Sequence, residues 1–538
     1  MSEQIQLAGA MRDAGPIAGR RPGIFGRRPG IFAGRSPGIE AKGDAGTSSA
    51  RRESRTGFGG RADIAICTFH PVTGGVIEQT GASRSSLALG NLRALVILTV
   101  VAFHSVMAYL GSLGAAAFPF DDPPYKWRAF PIIDLHRFYG FDVFCAWQDV
   151  YLMSLMFFLS ALFTWPSLAR KGSRRFLSDR FLRLGVPFAF ALVVVMPIAL
   201  YPVYRMSAID PSVADYVRHY LALPFWPNGP MWFLWQLLAL TVVAAGLHRF
   251  VPHWIGFLVR CASRAGARPG RYFIGLAIAC TLAYVPLALA FTPWTWSNYG
   301  PFSLQFSRPL LYAVLYLAGL GVGAHGLERG LLAPDGMLAR RWAVWLAGAL
   351  TAFLAWMGLT ALVMSYTPAA PLGLQVVVDS CFALACASGC FFVIGACLRF
   401  ATMRSRMLAS LANNAFGIYL LHYGFVVWLQ YALLGVALFA IAKAMAVFGG
   451  ALALAWTTAI VMRLVPFGSR LIGAERLVWA PASSFPGKLT AELTRKLTEN
   501  LTGNPAGNLA GGLARERQFD ERQFDGDHAQ FPPPSLAR

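Results

Sequence analysis

Long apolar runs constrain the fold of this 538-residue chain more than any other feature. Between residues 91 and 463, ten runs of about 20 residues alternate with short polar breaks. The runs are 92–113, 149–168, 184–203, 230–248, 272–291, 309–327, 342–364, 374–398, 411–432 and 441–462. A helix of this length crosses the hydrocarbon core of a bilayer and satisfies its backbone hydrogen bonds internally. The pattern predicts an all-α polytopic membrane protein with about ten transmembrane helices.

Composition agrees with a membrane protein and argues against a soluble enzyme and a nucleic-acid-binding protein. Charged residues make up 14% of the chain, against about 25% in ordinary soluble domains. The net charge of +21 is high, but no nucleic-acid-binding motif accompanies it, so no nucleic acid partner is expected. The eight cysteines include no CxxC pair of the kind that binds zinc, and no metal site is expected.

The basic residues are distributed unequally between the two sides of the predicted membrane domain. The breaks after runs 2, 4, 6 and 8 contain 17 Lys and Arg residues, and the breaks after the odd-numbered runs contain six. Positive residues mark the cytoplasmic side of a membrane protein. Ten spans then place both termini in the cytoplasm, in a multi-pass protein of the inner (cytoplasmic) membrane.

The segments that flank the membrane domain are polar. Residues 1–90 are rich in Gly, Pro and Arg, and Arg21-Pro22-Gly23-Ile24-Phe25 recurs at residues 28–32. Because such a composition cannot build a core, we expect a disordered basic cytoplasmic arm over 1–90. The membrane domain is predicted over 91–465, followed by a polar cytoplasmic tail over 466–538.

One histidine interrupts the first apolar run. Ionisable groups inside such runs are costly and mark candidate sites. His104 follows Arg93 by eleven residues, so at about 100° per residue the two share one helix face, about 16 Å apart along the axis. Arg93 is expected at the cytoplasmic rim and His104 near the middle of the bilayer. The structural alternative is an anchoring arginine and a histidine bonded to a neighbouring helix.

Two arginines precede the third run with helical spacing. Arg180 and Arg183 lie three residues apart, which places both on one face of a helix at the cytoplasmic rim. Guanidinium groups suit the capture of phosphate. The alternative is contact with lipid headgroups.

Other ionisable residues are weaker candidates. Asp379 lies deep in the eighth run, with a structural hydrogen bond as the alternative to a site role. His422 lies near the middle of the ninth run and is a weaker candidate for lining the cavity. Asp149 opens the second run, and Asp134, His136 and Asp142 precede it in the longest outer loop. These loop residues either contact a polar ligand or belong to a solvated loop.

Several of these segments resemble the acyltransferase family 3 membrane proteins. The spacing of Arg93 and His104 is similar to the signature of that family's first helix, and Arg180-x-x-Arg183 to its second motif. Met156–Ala161 resembles a Phe-Phe-x-x-Ser-Gly motif, with Ala161 in place of glycine. Two later segments also resemble the family, Gly229–Leu234 and Asn414–His422. The resemblance covers about residues 90–465 and is strongest to the glucan-biosynthesis type C branch.

The resemblance implies a membrane O-acyltransferase without a permanently bound cofactor. An acyl-CoA donor, acetyl-CoA in particular, is expected to bind from the cytoplasm with its phosphates near Arg93, Arg180 and Arg183. His104 is expected to act as the general base on an acceptor hydroxyl or to carry the acyl group transiently. The implied acceptor is a glycan or lipid-linked sugar at the outer face. The rival hypothesis is a secondary transporter, which predicts an internal repeat that we do not recognise here.

Overall fold

A computed structural model describes residues 83–114, 116–208 and 211–475. The statements below refer to these residues. The predicted disordered arm with its tandem repeat, up to residue 82, and the polar tail from residue 476 lie outside the described residues, and the predictions made for them stay predictions.

The described residues form seventeen α-helical segments, numbered α1 to α17 in chain order. They are α1 Arg84–Val106, α2 Tyr139–Ala161, α3 Thr164–Lys171, α4 Ser173–Arg180, α5 Val186–Phe190, α6 Met196–Ser207, α7 Val213–Ala222, α8 Trp232–Phe250, α9 Trp254–Ala265, α10 Pro269–Phe291, α11 Pro309–His325, α12 Met337–Arg340, α13 Trp342–Ser365, α14 Leu372–Phe400, α15 Arg406–Ala432, α16 Ala440–Leu464 and α17 Pro466–Leu471. Short 3-10 helices occur at Met107–Tyr109, Lys126–Arg128, Gly229–Met231 and Gly330–Leu332, and π-helical turns at Phe181–Gly185 and Ala191–Val195.

Eight helical stretches of the described chain are long and apolar enough to cross a membrane, which confirms a multi-pass membrane protein. They are Arg84–Tyr109, Tyr139–Lys171, Ser173–Ser207, Gly229–Phe250, Pro269–Phe291, Trp342–Ser365, Leu372–Phe400 and Ala440–Leu464. The sixth and ninth runs fold as α11 and α15 but are not among the eight. The helix α11 has only 17 residues, and α15 contains Asn413, Asn414 and His422. The count of ten spans and the location of the termini therefore stay predictions.

The packed domain begins and ends beyond the boundaries predicted from hydropathy. Ser83 caps α1 by accepting a hydrogen bond from the backbone N–H of Ser86, so residues 84–90, predicted to be part of the disordered arm, are helical. At the other end, α17 and the fully buried Ile472 fall within the predicted tail. Caps and short packed segments carry no long apolar run, which explains both differences.

Helix α1 lies at the centre of the helices that form the site. It packs against α2, α14, α15 and α16. An antiparallel hairpin of β1 Trp296–Tyr299 and β2 Phe302–Gln305 connects α10 to α11, with Trp296 opposite Gln305. The C-terminal part of α1 is therefore surrounded by other helices, and polar groups there need partners from those helices.

Glycines allow α11 to approach α2 closely. A Cβ atom on Gly319 would lie 2.2 Å from the carbonyl oxygen of Phe158, and one on Gly323 would lie 1.9 Å from that of Leu162. Small residues spaced by four permit such backbone contacts between membrane helices. Ala161, which departs from the family's glycine, is fully buried on the same segment of α2.

Candidate active site

A cavity of about 800 Å³ lies at one end of the helices. Four connections contribute to its wall, at residues 124–129, 227–230, 292–296 and 366–370. All four follow odd-numbered apolar runs, whose breaks are poor in basic residues. The cavity is thus on the side that charge asymmetry predicts to be the outer one.

His104 lies at the C-terminal end of α1, is half-buried, and lines this cavity. Its Nδ1 atom is 2.9 Å from the carbonyl oxygen of Val100 and 3.2 Å from Nε2 of His422. Nδ1 of His422 is in turn 2.7 Å from the carbonyl oxygen of Tyr419. His422 is fully buried and lies behind His104, outside the cavity lining.

These contacts determine which nitrogen of each neutral ring carries the proton. A carbonyl oxygen only accepts hydrogen bonds, so Nδ1 is the donor in both histidines. His104 then donates from Nδ1 to Val100, and the lone pair of His422 Nε2 faces the same N–H group. Nε2 of His104 is left unprotonated, which is the state that a general base or nucleophile requires.

Helix α15 also positions the backbone around His104. The side-chain amide of Gln430 donates to the carbonyl oxygens of His104 and Ser105, at 2.9 Å and 3.2 Å. The ring of Tyr423 lies edge-on to the imidazole of His104, with 5.6 Å between centroids. The end of α1 is therefore attached to α15 on both sides of the histidine.

The two later segments that resemble the family meet at the cavity. The hydroxyl of Tyr419 donates to the carbonyl oxygen of Pro230. Gly229 has φ 46°, and a Cβ atom there would lie 2.8 Å from Cε of Met196. Both the left-handed backbone and the close approach favour glycine at this position.

An ion pair between the buried Arg308 and the partly exposed Asp149 forms another part of the cavity wall. Nη1 and Nη2 of Arg308 donate to Oδ1 and Oδ2 of Asp149 at 2.8 Å and 2.6 Å. The guanidinium group also lies 5.0 Å from the ring centroid of Phe382. Sequence reasoning did not predict this pair, because the partners are 159 residues apart. The only sequence feature that pointed to this pair was the position of Arg308, a single arginine directly before the sixth apolar run.

Asp379 lines the same cavity and is 4% exposed. Within the described ranges, its carboxyl group has no hydrogen-bond or ion-pair partner. The alternative of a structural hydrogen bond, considered for Asp379 from the sequence, therefore has no support in the described structure.

The three arginines predicted to bind the donor are not part of the cavity wall. The guanidinium carbon of Arg93 lies 4.4 Å from the ring centroid of Phe163. That of Arg180 lies 5.1 Å from the ring of Phe176, whereas Arg183 is exposed and forms an ion pair of 3.0 Å with Glu475.

A π-helical turn separates Arg180 from Arg183. It spans Phe181–Gly185 and begins directly after Arg180. Because a π-turn is wider than an α-turn, each residue advances by a smaller angle than in an α-helix. Within this turn the α-helical spacing assumed for the two arginines does not hold, and the shared face predicted for them stays a prediction.

Acidic groups of the longest outer loop hold that loop in place. Asp134 is buried and its Oδ2 atom lies 2.7 Å from Nζ of Lys443, which is also buried. Asp142 accepts hydrogen bonds from the backbone N–H of Gly111 and from Ser112. Asp134 is therefore neither solvated nor in contact with the cavity.

A cationic side chain lies at the edge of the cavity formed by the outer connections. Arg128 donates to Oδ1 of Asn298 at 2.6 Å, and its guanidinium carbon lies 4.4 Å from the ring centroid of Phe225. Burial lowers the pKa of Arg128 to about 10, so the group is still protonated at neutral pH. Lys126 lines the cavity beside it.

A helical membrane protein with a histidine in the wall of a cavity that mixes aromatic and charged side chains has the features of a membrane-embedded transferase. Residues 87–460 match a family described as the acyltransferase 3 type of acyltransferase domain, and the chain belongs to this family. It is therefore a membrane acyltransferase, which decides against the transporter alternative. A search of curated proteins and of solved structures found no match.

Proposed function

We propose that the protein is an O-acyltransferase that moves an acyl group, acetyl in particular, from cytoplasmic acyl-CoA to a hydroxyl of a glycan or lipid-linked sugar. In this proposal ten helices cross the inner membrane, both termini are cytoplasmic, and the acceptor is modified at the outer face. The observation that carries the proposal is that His104 lines a cavity bounded by four connections of one side, with its Nδ1 atom 2.9 Å from the Val100 carbonyl oxygen.

His104 acts as the general base in the proposed step. The acceptor hydroxyl oxygen attacks the carbonyl carbon of the thioester, and its proton passes to Nε2 of His104. The carbon–sulfur bond then breaks, and the departing thiolate takes up that proton. During the step, the N–H group of Nδ1 stays directed at the Val100 carbonyl and His422 Nε2, which stabilise the positive charge on the ring.

The donor binds with its phosphates near Arg93, Arg180 and Arg183. Support comes from α1, a helix that carries both Arg93 and His104 about 16 Å apart along its axis. Because none of the arginines lines the cavity, the pantetheine arm has to bridge the distance between the phosphates and His104.

Turnover of labelled donor tests this function. The full chain, reconstituted in nanodiscs, is given radiolabelled acetyl-CoA with a mixture of glycan acceptors. Loss of a general base costs about 10²- to 10⁴-fold in rate, and we expect His104→Ala to lose label transfer by that factor while it still binds acetyl-CoA. His219→Ala, a variant of a half-exposed histidine outside the cavity, serves as the control and keeps full activity.

Two results contradict the proposal. Equal turnover by wild type and His104→Ala would exclude His104 as the base. Failure of the folded protein to bind acetyl-CoA would exclude the donor. Label that stays on the wild-type protein but not on His104→Ala after denaturation at neutral pH would instead assign His104 the role of a transient acyl carrier.

A further inference from the structure

The carboxyl group of Asp379 has no hydrogen-bond partner among the described residues. The side chain lies on α14, is 4% exposed, and lines the cavity. No residue of the described ranges donates a hydrogen bond to it. A buried carboxyl group without a partner is strongly unfavourable, so a ligand in the cavity is the natural source of hydrogen bonds.

The guanidinium group of Arg308, close to Asp379 along the cavity wall, already forms an ion pair with Asp149. Arg308 contacts Phe382, which follows Asp379 by three residues on α14. Both terminal nitrogens of Arg308 donate to Asp149, so the charge of Arg308 is matched before Asp379 is considered. Asp379 is therefore left as a hydrogen-bond acceptor facing the cavity.

The other charges of the cavity disfavour a cationic ligand for this acceptor. Cationic side chains in its wall outnumber the acidic ones, being Lys126, Arg128 and Arg308 against Asp149 and Asp379. A neutral ligand with hydroxyl donors satisfies the carboxyl group and adds no positive charge to a wall that already has an excess of it.

Aromatic rings supply the surface for the rest of such a ligand. Trp356 lies edge-on to Phe382, with 5.5 Å between centroids, and both line the cavity with Asp379. Trp232 and Trp296 lie 5.6 Å apart, and both also line the cavity. Aromatic faces pack against C–H groups, whereas a carboxyl group binds hydroxyls, and a ring-shaped polyol presents both kinds of surface.

We propose that Asp379 anchors the acceptor, with its two carboxyl oxygens accepting hydrogen bonds from adjacent hydroxyls of a neutral polyol that packs on the aromatic wall. The inference rests on the proposed function for the step that follows binding. It assigns Asp379 to acceptor binding, separate from the donor site and from the proton transfer at His104.

The test measures binding and transfer separately. Protein in nanodiscs, purified without glycoside detergents, is titrated with glycerol, glucose and maltose while tryptophan fluorescence reports on the cavity. Asp379→Asn replaces one of the two carboxyl oxygens by an NH₂ group that cannot accept, so we expect it to weaken polyol binding by about 10-fold. The thermal stabilisation by acetyl-CoA stays unchanged in the same variant.

Two further variants control for effects on folding. Asp379→Leu replaces an unpaired buried carboxyl group by an apolar one, so we expect a higher unfolding temperature together with loss of polyol binding. Ser388→Ala alters a buried residue of the same helix that donates to the Leu384 carbonyl and does not line the cavity. It keeps both binding and transfer.

Several outcomes overturn the assignment. The first two are the absence of polyol binding by wild type and equal polyol binding by wild type and Asp379→Asn. The other two are a loss of acetyl-CoA binding in Asp379→Asn that parallels the loss of polyol binding, and a preference of wild type for protonated glucosamine over glucose. If wild type binds polyols through Asp379 but transfers no acyl group, then the proposed function fails and the anchoring role of Asp379 stands.

Discussion

The polar groups around the cavity and the arginines predicted to bind the donor are held in opposite ways. His104 is fixed between the Val100 carbonyl and His422, and both carboxylate oxygens of Asp149 bind Arg308. By contrast, the predicted donor arginines contact aromatic rings or an exposed carboxylate. Among the described residues of the cavity, His104 and the Arg308–Asp149 pair are bonded within the protein and Asp379 is not, whereas the rim arginines contact rings and a carboxylate that a ligand can replace.

The difference follows from the surroundings of each region. Polar groups in an apolar interior are costly without a partner, so most of them, such as His104 and Arg308, are bonded to other groups of the protein. Arginines at a membrane rim can exchange one partner for water or phosphate at little cost. We therefore expect substitutions in the interior to affect stability and rate strongly, and substitutions at the rim to affect donor affinity modestly.

The largest effect is expected from breaking the buried ion pair. Asp149→Asn leaves the Arg308 guanidinium group, whose side chain is 4% exposed, without its counter-charge. Loss of one partner of a fully buried pair lowers the free energy of unfolding by about 3–5 kcal/mol, and because the Asp149 side chain is 35% exposed we expect a loss below that range. Thermal unfolding in nanodiscs measures the change.

An exposed ion pair of the same chain provides the control. Arg84 and Asp335 lie 3.3 Å apart, with side chains 56% and 68% exposed. Asp335→Asn should change stability by about 0–1 kcal/mol. Equal losses for Asp149→Asn and Asp335→Asn would contradict the idea that burial makes the Arg308 pair different.

The sequence predicts the helices of the membrane domain better than it predicts the pairing of side chains. Hydropathy is a local property, so all ten runs are helical as predicted, and His104 was identified because it interrupts one run. The pair of Arg308 with Asp149 depends on the packing of α2 beside α11, which no local pattern encodes. The same applies to His422, whose contact with His104 joins α15 to α1.

Backbone geometry limits the prediction at the rim. The π-turn at Phe181–Gly185 has no recognisable signal in the sequence, so spacing rules for α-helices describe this part of the chain only approximately. The unpaired state of Asp379 was also out of reach, because only the three-dimensional arrangement reveals which partners are missing.

A smaller effect is expected from the residue that positions the base. His422→Leu removes the acceptor beside Nδ1 of His104 and should lower kcat by about 10- to 100-fold, less than loss of the base itself. His422→Gln can accept from His104 and donate to the Tyr419 carbonyl, so it should restore part of the rate. The KM for acetyl-CoA should stay constant in both variants.

The rates of His422→Gln and His422→Leu show whether His422 positions His104 or only fills space beside it. A purely structural role predicts that leucine, which fills the space with apolar atoms, is tolerated at least as well as glutamine. A steady-state rate for His422→Leu equal to or above that of His422→Gln would therefore exclude the positioning role.

The smallest effect is expected at the rim, where Glu475 competes with the donor for Arg183. The two side chains are 32% and 47% exposed, so their ion pair contributes at most about 1 kcal/mol. Glu475→Gln removes the competing charge and should lower the KM for acetyl-CoA by up to about fivefold at low salt. High salt should abolish the difference, because it screens exposed charges.

Since Arg183 is proposed to bind phosphate, Arg183→Ala should raise the same KM. If neither substitution changes the KM at low ionic strength, Arg183 does not contact the donor, and the phosphate site is confined to Arg93 and Arg180.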